Sequence, residues 1–304
     1  MNRFLAPTAL GGLLALAGCG GGGGTSAALT DAERERIASD PRVVRLGNVL
    51  ERADTLLVPT LHLRYSLSAE GHTLSDRQAL GTDCSGTRCD VADGSEITVE
   101  DLFDPATEID LTGVSIGSRD GFDTIAARGG VEITENIPDG TITSAPTITA
   151  YGIWGEHGFA SVEISDGSVS GSLEGVPFTG DFGSATAYAV GDASGTNPEG
   201  TGSATWSGVA EAASTGTFQR RRGSATVTIA DLSRPRAGVE IDVPGFAIDS
   251  PAWSDMPLVD GGFASGSAGT DRLEGNFHGP DHGEAWGVFD TGAYVGAFGA
   301  KRVP

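Results

Sequence analysis

The chain reads TDRLEGNFHGPDHGEAWGVFDTGAYVGAFGAKR from Thr270 to Arg302. At the start of this stretch Leu273, Gly275 and Phe277 occupy alternate positions, and polar or charged residues lie between and after them. A period of two residues is typical of a β-strand with one buried face. We therefore predict that this stretch opens with a strand.

Turn residues divide the rest of the stretch into two further strands. The sequence GPDHG at 279–283 predicts a turn, because proline lacks a backbone donor and glycine accepts positive φ. We expect return strands at 284–289 and 294–300. Glycine weakens a flat strand but suits close backbone approach and strong curvature, as in a small closed barrel. Four such glycines lie in these strands: Gly275, Gly287, Gly296 and Gly299.

Several motifs resemble one family of bacterial surface lipoproteins. They are GNFHGPDHGEAWGVF at 275–289, GAFGAKR at 296–302, YGIW at 151–154, GSATWSG at 202–208 and GSATVTIAD at 223–231. They are similar to the barrel domain of transferrin-binding protein B and its relatives, which include factor H-binding protein and transferrin-binding-protein-like solute-binding lipoproteins. In this chain the barrel signature that the resemblance implies consists of Trp206, Gly275, Phe277, Gly279, Pro280, Glu284, Gly287, Phe289, Gly296, Phe298 and Gly299.

Strand pattern and resemblance together predict an all-β protein. We expect a C-terminal eight-stranded antiparallel β-barrel, preceded by a smaller β region and a short N-terminal helical segment. Short strands and only 7% aromatic residues favour a water-soluble barrel over a membrane-spanning one. The predicted division is a signal peptide at 1–18, a lipid-anchored tether at 19–29, a helical segment at 30–57, a first β region at 58–145 and the barrel domain at 146–304.

The net charge of the chain restricts the classes of partner that it can bind. The formal net charge is −22, from 19 basic and 41 acidic residues. So acidic a chain lacks the basic surface that releases counterions from nucleic acid, and it is not held electrostatically by anionic lipid. The acidic surplus serves either solubility or contact with a cationic partner or metal.

The first residues predict export. An apolar run from Phe4 to Ala17 ends in Leu16-Ala17-Gly18-Cys19, which is similar to the bacterial lipobox. The resemblance implies acylation of Cys19, for example with palmitate; an ordinary secretory cleavage is the alternative. The following glycines, 20–24, predict a flexible tether. Because no aspartate follows Cys19, the lipoprotein resemblance places the protein at the outer membrane of a Gram-negative bacterium, on its periplasmic or cell-surface side.

Helical periodicity is confined to 30–57. Thr30 and Glu33 form a capping-box pattern, and Pro41 suits the first turn of a second helix. An apolar stripe follows along the second helix; it packs either on the protein's own sheet or on a partner. Its members are Val43, Leu46, Leu50, Ala53 and Leu57.

Cys84 and Cys89 are the two cysteines besides Cys19. An even pair in an exported protein predicts a disulfide, and Ser85-Gly86 permits the tight turn between them. A redox pair or a metal site is the alternative, although a redox pair is normally spaced C-x-x-C and a metal site needs further ligands.

Chemistry-bearing clusters are few. His278, Asp281, His282 and Glu284 suggest either a transition-metal site or solvent-exposed turn residues. The basic run Arg220-Arg221-Arg222 either pairs internally or contacts an anionic partner. The glycine run at 20–24 precedes any predicted fold, so it is not a phosphate-binding loop. We expect no enzyme activity, no cofactor and no bound metal.

These observations favour a binding module anchored to the membrane by its N-terminal lipid alone. By resemblance, its partner is an unknown extracellular protein or nutrient ligand, possibly one that carries iron. Loops at 171–183 and 192–200 are the expected contact surface. The alternative is a structural lipoprotein of the cell envelope with no specific ligand.

Overall fold

The computed structural model describes residues 28–102, 110–137, 140–245, 252–267 and 270–304. Three helices lie among them: α1 (Asp31–Ala38), α2 (Pro41–Glu51) and α3 (Val99–Leu102). Thr30 caps α1, and its side chain and Glu33 form the predicted capping box. Asp40 caps α2, with Pro41 at its first position. The predicted helical segment extends too far, because α2 ends at Glu51 and the backbone from Thr55 pairs with a strand instead.

Strands make up most of the described chain. The first eleven are β1 (Thr55–Leu57), β2 (Thr60–Ala69), β3 (His72–Ser85), β4 (Arg88–Val91), β5 (Glu96–Thr98), β6 (Asp110–Arg119), β7 (Phe122–Gly130), β8 (Ile133–Ile137), β9 (Gly140–Trp154), β10 (Gly158–Leu173) and β11 (Val176–Gly191). The other eight are β12 (Ala204–Ser214), β13 (Arg220–Ile229), β14 (Arg236–Asp242), β15 (Ala252–Val259), β16 (Gly262–Ser267), β17 (Thr270–His278), β18 (Glu284–Asp290) and β19 (Tyr294–Arg302).

Strands β12 to β19 form a closed barrel in sequence order. Every neighbour is antiparallel, and β19 returns to β12 with Trp206 opposite Arg302 and Ala210 opposite Phe298. The predicted fold class is confirmed: the protein is all-β, with an eight-stranded antiparallel barrel near the C-terminus. The three strands expected in the opening stretch are present as β17, β18 and β19.

The other eleven strands form one curled sheet. Its main path is β5-β4-β3-β2-β11-β10-β9-β7-β6, with β1 on β11 and β8 on β9. This corrects the expectation that the barrel half begins at residue 146. Residues 148–154, 159–164 and 185–190, which fall in the predicted barrel domain, belong to β9, β10 and β11 of the curled sheet, and the barrel starts at Ala204. Alternation identifies a strand but does not say which sheet it joins.

Three apolar cores stack through the molecule. In the first, helix α2 covers one face of the curled sheet through Val43, Leu46 and Leu50, so the helical stripe packs on the protein's own sheet. The second fills the barrel interior around Trp206, Phe277 and Phe298. The third lies between the opposite face of the curled sheet and the barrel wall; its members include Ile153, Ala160, Val162, Ala187, Trp286 and Val288.

Candidate functional site

The signature glycines of the closing strands are packing positions. A Cβ on Gly287 would overlap the ring of Phe298, and one on Gly296 would overlap Phe289. Each of these glycines is the direct cross-strand partner of the aromatic residue that covers it. The same holds for Gly299 beneath Trp286 and for Gly275 beneath Phe263. Large rings therefore lie over strand glycines, with Phe263, Phe289 and Phe298 inside the barrel and Trp286 on its outer wall.

Glu284 joins the barrel to the curled sheet. Its carboxylate accepts hydrogen bonds from the backbone N–H of Glu156 (2.9 Å) and His157 (3.0 Å), and from Trp286 Nε1 (2.9 Å). The side chain is buried. Trp286 contacts Phe122 of the curled sheet edge-on, at 5.6 Å between ring centroids. These two residues therefore fix the β9–β10 turn on the barrel wall.

His278 is buried beside this contact, with 2% of its surface exposed. Burial lowers the pKa of His278 to about 4, and the charge and backbone of nearby Asp192 only partly oppose this effect. Asp192 in turn lies 3.0 Å from His157 Nδ1 and 3.6 Å from Arg52 Nε. At neutral pH His278 is therefore a neutral part of the junction.

The four residues of the suspected metal cluster point to different partners. Glu284 binds backbone amides of the curled sheet, whereas His282 Nε2 donates to the Thr196 carbonyl at 2.9 Å. The His282 carbonyl accepts from Trp206 Nε1, and the Asp281 carbonyl accepts from Arg302. Within the described residues no group of three or more histidine, cysteine, aspartate or glutamate side chains is placed to hold a metal.

A second set of polar contacts crosses the junction further along the barrel. His62 Nε2 lies 3.0 Å from Asp290 Oδ2, and both side chains are buried. Burial of Asp290 opposes ionisation, but the hydrogen bond and charge of His62, aided by Thr60 and the Gly292 amide, lower the pKa of this carboxyl. Another contact comes from Arg272, which donates to the carbonyls of Pro59 (2.7 Å) and Thr82 (2.8 Å). Sequence spacing gave no signal for these pairings, because their members lie about 200 residues apart.

The basic run at 220–222 is largely paired within the protein. Arg220 forms a two-pronged ion pair with Glu211, at 2.8 and 2.9 Å, and its guanidinium lies over the ring of Tyr151. Glu211 is only 1% exposed, and Arg222 approaches it to 3.6 Å. Arg220 and Arg222 therefore pair with Glu211 inside the protein.

Cys84 and Cys89 are joined in a disulfide and are directly opposed in the β3–β4 hairpin. Cys89 is buried beneath β1. The bond lies in the core that the curled sheet shares with helix α2. It is therefore part of the scaffold.

The segment 171–183 is not a loop. Strands β10 and β11 continue to a two-residue turn at Glu174-Gly175, where both residues have positive φ. The expected contact loop at 192–200 is attached to the barrel, where Asn197 accepts from the Gly261 amide and Ser194 donates its amide to the Phe277 carbonyl. The segment 171–183 therefore belongs to strands, whereas 192–200 is a loop, as expected, and is held against the barrel.

The long strands instead form a projecting sheet. We call residues 63–78, 140–148 and 165–184 the sheet arm; they belong to β2, β3, β9, β10 and β11. Past Ile164 and Ala185 the barrel-side positions of β10 and β11, such as Asp166, Ser168 and Asp181, are exposed. The opposite face carries a group of apolar side chains, half-buried apart from Leu74, which is 61% exposed, together with the exposed Asp76. Its members are Leu63, Tyr65, Leu67, Leu74, Ile142, Val169, Phe178 and Phe182.

The predicted signal peptide, Cys19 and most of the tether lie outside the described residues. Among those that are described, no helix is both long and apolar enough to cross a membrane. Lipid attachment at Cys19 therefore stays a prediction.

Comparison with known proteins gives faint similarities. No protein-family model and no curated protein matches the chain. One solved structure with similarity is a double mutant of the vaccine antigen transferrin-binding protein B from Haemophilus parasuis, at 11% identity and a TM-score of 0.32. The match covers 76% of this chain and 48% of that one, so this chain spans about half the length of the transferrin-binding protein B chain. A protein of unknown function from the DUF3598 family of Nostoc punctiforme matches at 9% identity and a TM-score of 0.23, over 80% of this chain and 94% of that one. Similarities this low support no conclusion about function.

Proposed function

We propose that this protein is a non-catalytic binding module, anchored by a lipid on Cys19 to the outer membrane of a Gram-negative bacterium. Its ligand is an extracellular protein or a nutrient ligand. The observation that supports this proposal is the apolar face of the sheet arm. An apolar face that stays partly exposed on an otherwise polar and strongly acidic surface marks an interaction site.

The arm is built to present that face rigidly. Directly opposed residues form rows across five strands, such as Pro146, Gly167, Phe182, Tyr65 and Asp76. The bases of β9, β10 and β11 are held between the helical layer and the barrel wall. A partner therefore meets a preorganised surface and loses little free energy in ordering it.

The binding surface is tested with Leu74→Asp, which places a charge on the apolar face at its β3 edge. Val259→Asp is the matched control, since Val259 is 70% exposed on the barrel. We expect the wild-type protein and the Val259 variant to capture the same extracellular partner from host or culture fluid. We expect Leu74→Asp to lose that partner, because burying an unpaired carboxylate in an interface is costly. Equal capture by the Leu74 variant would exclude the arm, and capture by none of the proteins would favour a purely structural envelope role.

The anchor is tested independently in cells. Metabolic labelling with palmitate should mark the wild-type protein and leave Cys19→Ala unlabelled. Fractionation should then move the variant from the membrane to the soluble fraction, because a diacyl anchor provides stable attachment that the bare terminus lacks. An unlabelled wild-type protein would overturn the lipoprotein assignment.

A further inference from the structure

We infer that the barrel-side surface of the sheet arm carries a binding site for the carboxylate or phosphate group of a small polar ligand, with Arg64 and Arg77 as its guanidinium donors. This site goes beyond the proposed function, because it lies on the face opposite the apolar one. The inference depends on the position of the two arginines, on their lack of carboxylate partners and on the cleft they line.

Arg64 and Arg77 are directly opposed in the β2–β3 ladder, so both side chains point to the same face. Like charges directly opposite in a sheet repel each other. Arg64 is held in place, since Nη1 donates to the Gly216 carbonyl at 3.2 Å and the guanidinium stands 5.0 Å from the Phe218 ring centroid. Arg77 Nη1 lies close to the same glycine. The two guanidinium groups therefore face the β12–β13 turn of the barrel together.

Neither guanidinium has a carboxylate within ion-pair distance among the described residues. Other arginines of the chain, such as Arg45, Arg220 and Arg272, do pair with carboxylates. The nearest acidic neighbour in sequence, Asp76, points to the apolar face, where it accepts from the Tyr65 hydroxyl. The positive charge of the arginine pair is therefore available to an anion from solution.

A cleft of about 630 Å³ lies beside the pair. This volume suits a small molecule. Ser66 and Ser75 line the cleft together with the two arginines, and the Ser75 hydroxyl donates to Ser66 at 2.9 Å. Guanidinium groups bind carboxylate and phosphate oxygens through two parallel N–H donors, and the serine hydroxyls offer further hydrogen bonds.

Asp181 narrows the class of ligand. Its carboxylate also lines the cleft, on β11 directly opposite Ser66. It repels a bare anion but accepts hydrogen bonds from hydroxyl or amino groups. The cleft therefore matches an oxyanion that also carries such donors, as in a hydroxy acid, an amino acid or a sugar phosphate.

Calorimetric titration of the intact protein in neutral detergent tests the site, with citrate and inorganic phosphate as separate probes at low ionic strength. We expect saturable binding that the double change Arg64→Gln with Arg77→Gln weakens at least about tenfold, because hydrogen bonds to charged groups are lost. Asp181→Asn should tighten binding, and added salt should weaken it. Arg128→Gln removes one positive charge from another exposed part of the same sheet and should leave binding unchanged.

Three outcomes would overturn the inference. They are absence of saturable binding at millimolar probe, equal weakening by Arg128→Gln, and unchanged binding in the arginine double variant. Should the glutamine variant fail to fold, Arg64→Lys with Arg77→Lys decides the matter. It keeps both charges but loses the two-pronged geometry, so weaker binding is expected and unchanged binding contradicts the site.

Discussion

The neutral state of His278 links the stability of the junction to pH. Its pKa falls from an ordinary value of 6.5 to about 4 in the folded protein, so the unfolded chain binds the proton more readily between these values. Stability should therefore be full above pH 6.5 and fall as the pH drops towards 4. By linkage, this one residue accounts for about 3 kcal/mol over that range.

The measurement is the free energy of urea unfolding as a function of pH. In His278→Phe the unfolding free energy should change less steeply with pH between 6.5 and 4, whatever the stability of the variant at neutral pH. The control is His72→Gln, since His72 is exposed at the β2–β3 turn and should leave the slope as it is. An unchanged slope in His278→Phe would show that this imidazole does not oppose protonation. The lowered pKa of Asp290 adds a further loss of stability at more acidic pH, as that carboxyl becomes protonated.

At the scale of one element, the closing strands depend on glycine beneath aromatic rings. Gly299→Ala should destabilise the protein by about 1–3 kcal/mol, because the new methyl group overlaps the Trp286 ring in a filled space. Gly113→Ala is the matched control, since Gly113 lies in strand β6 with open space where its Cβ would be. Thermal unfolding of both variants checks this prediction. Equal stability of the two would mean that Trp286 moves aside at no cost.

The same strands explain what could be predicted from the sequence. Alternating parity, the GPDHG turn and the internal glycines are local signals, and they located β17, β18 and β19 correctly. The sequence does not show which ring covers which glycine, because Gly287 faces Phe298 only through the register of their two strands. Register depends on the pairing of distant residues and not on composition.

Strands β10 and β11 show the opposite case. Their distal halves are rich in glycine, serine and threonine, which is a loop-like composition. They are strands because the Glu174-Gly175 turn starts a hairpin and because β9 and β2 pair with its two outer edges. Tertiary pairing therefore overrode the local preference, and for this reason the sheet arm was missed as a candidate surface.

For the molecule as a whole, the barrel and the curled sheet should unfold together. They share a continuous apolar core, and buried polar contacts cross it at Glu284, at Asp290 with His62, and at Arg272. A hydrogen bond to a charged group contributes about 1.5–3 kcal/mol net to stability. Separation of the two units exposes all of these groups at once, so neither unit is expected to open alone.

Glu284→Gln tests this coupling. The amide keeps one acceptor oxygen but loses the charge and the second one, so we expect a loss of about 1–3 kcal/mol. Hydrogen exchange should show the same loss of protection in the amides of β10, which lies in the curled sheet, and in those of β18, which lies in the barrel. A cooperative unit opens as a whole, so its amides share one free energy of opening. Glu240→Gln is the control, since this exposed carboxylate lies on β14 of the barrel and should change neither set. Faster exchange in β10 alone would mean that the sheet opens independently of a barrel that remains closed.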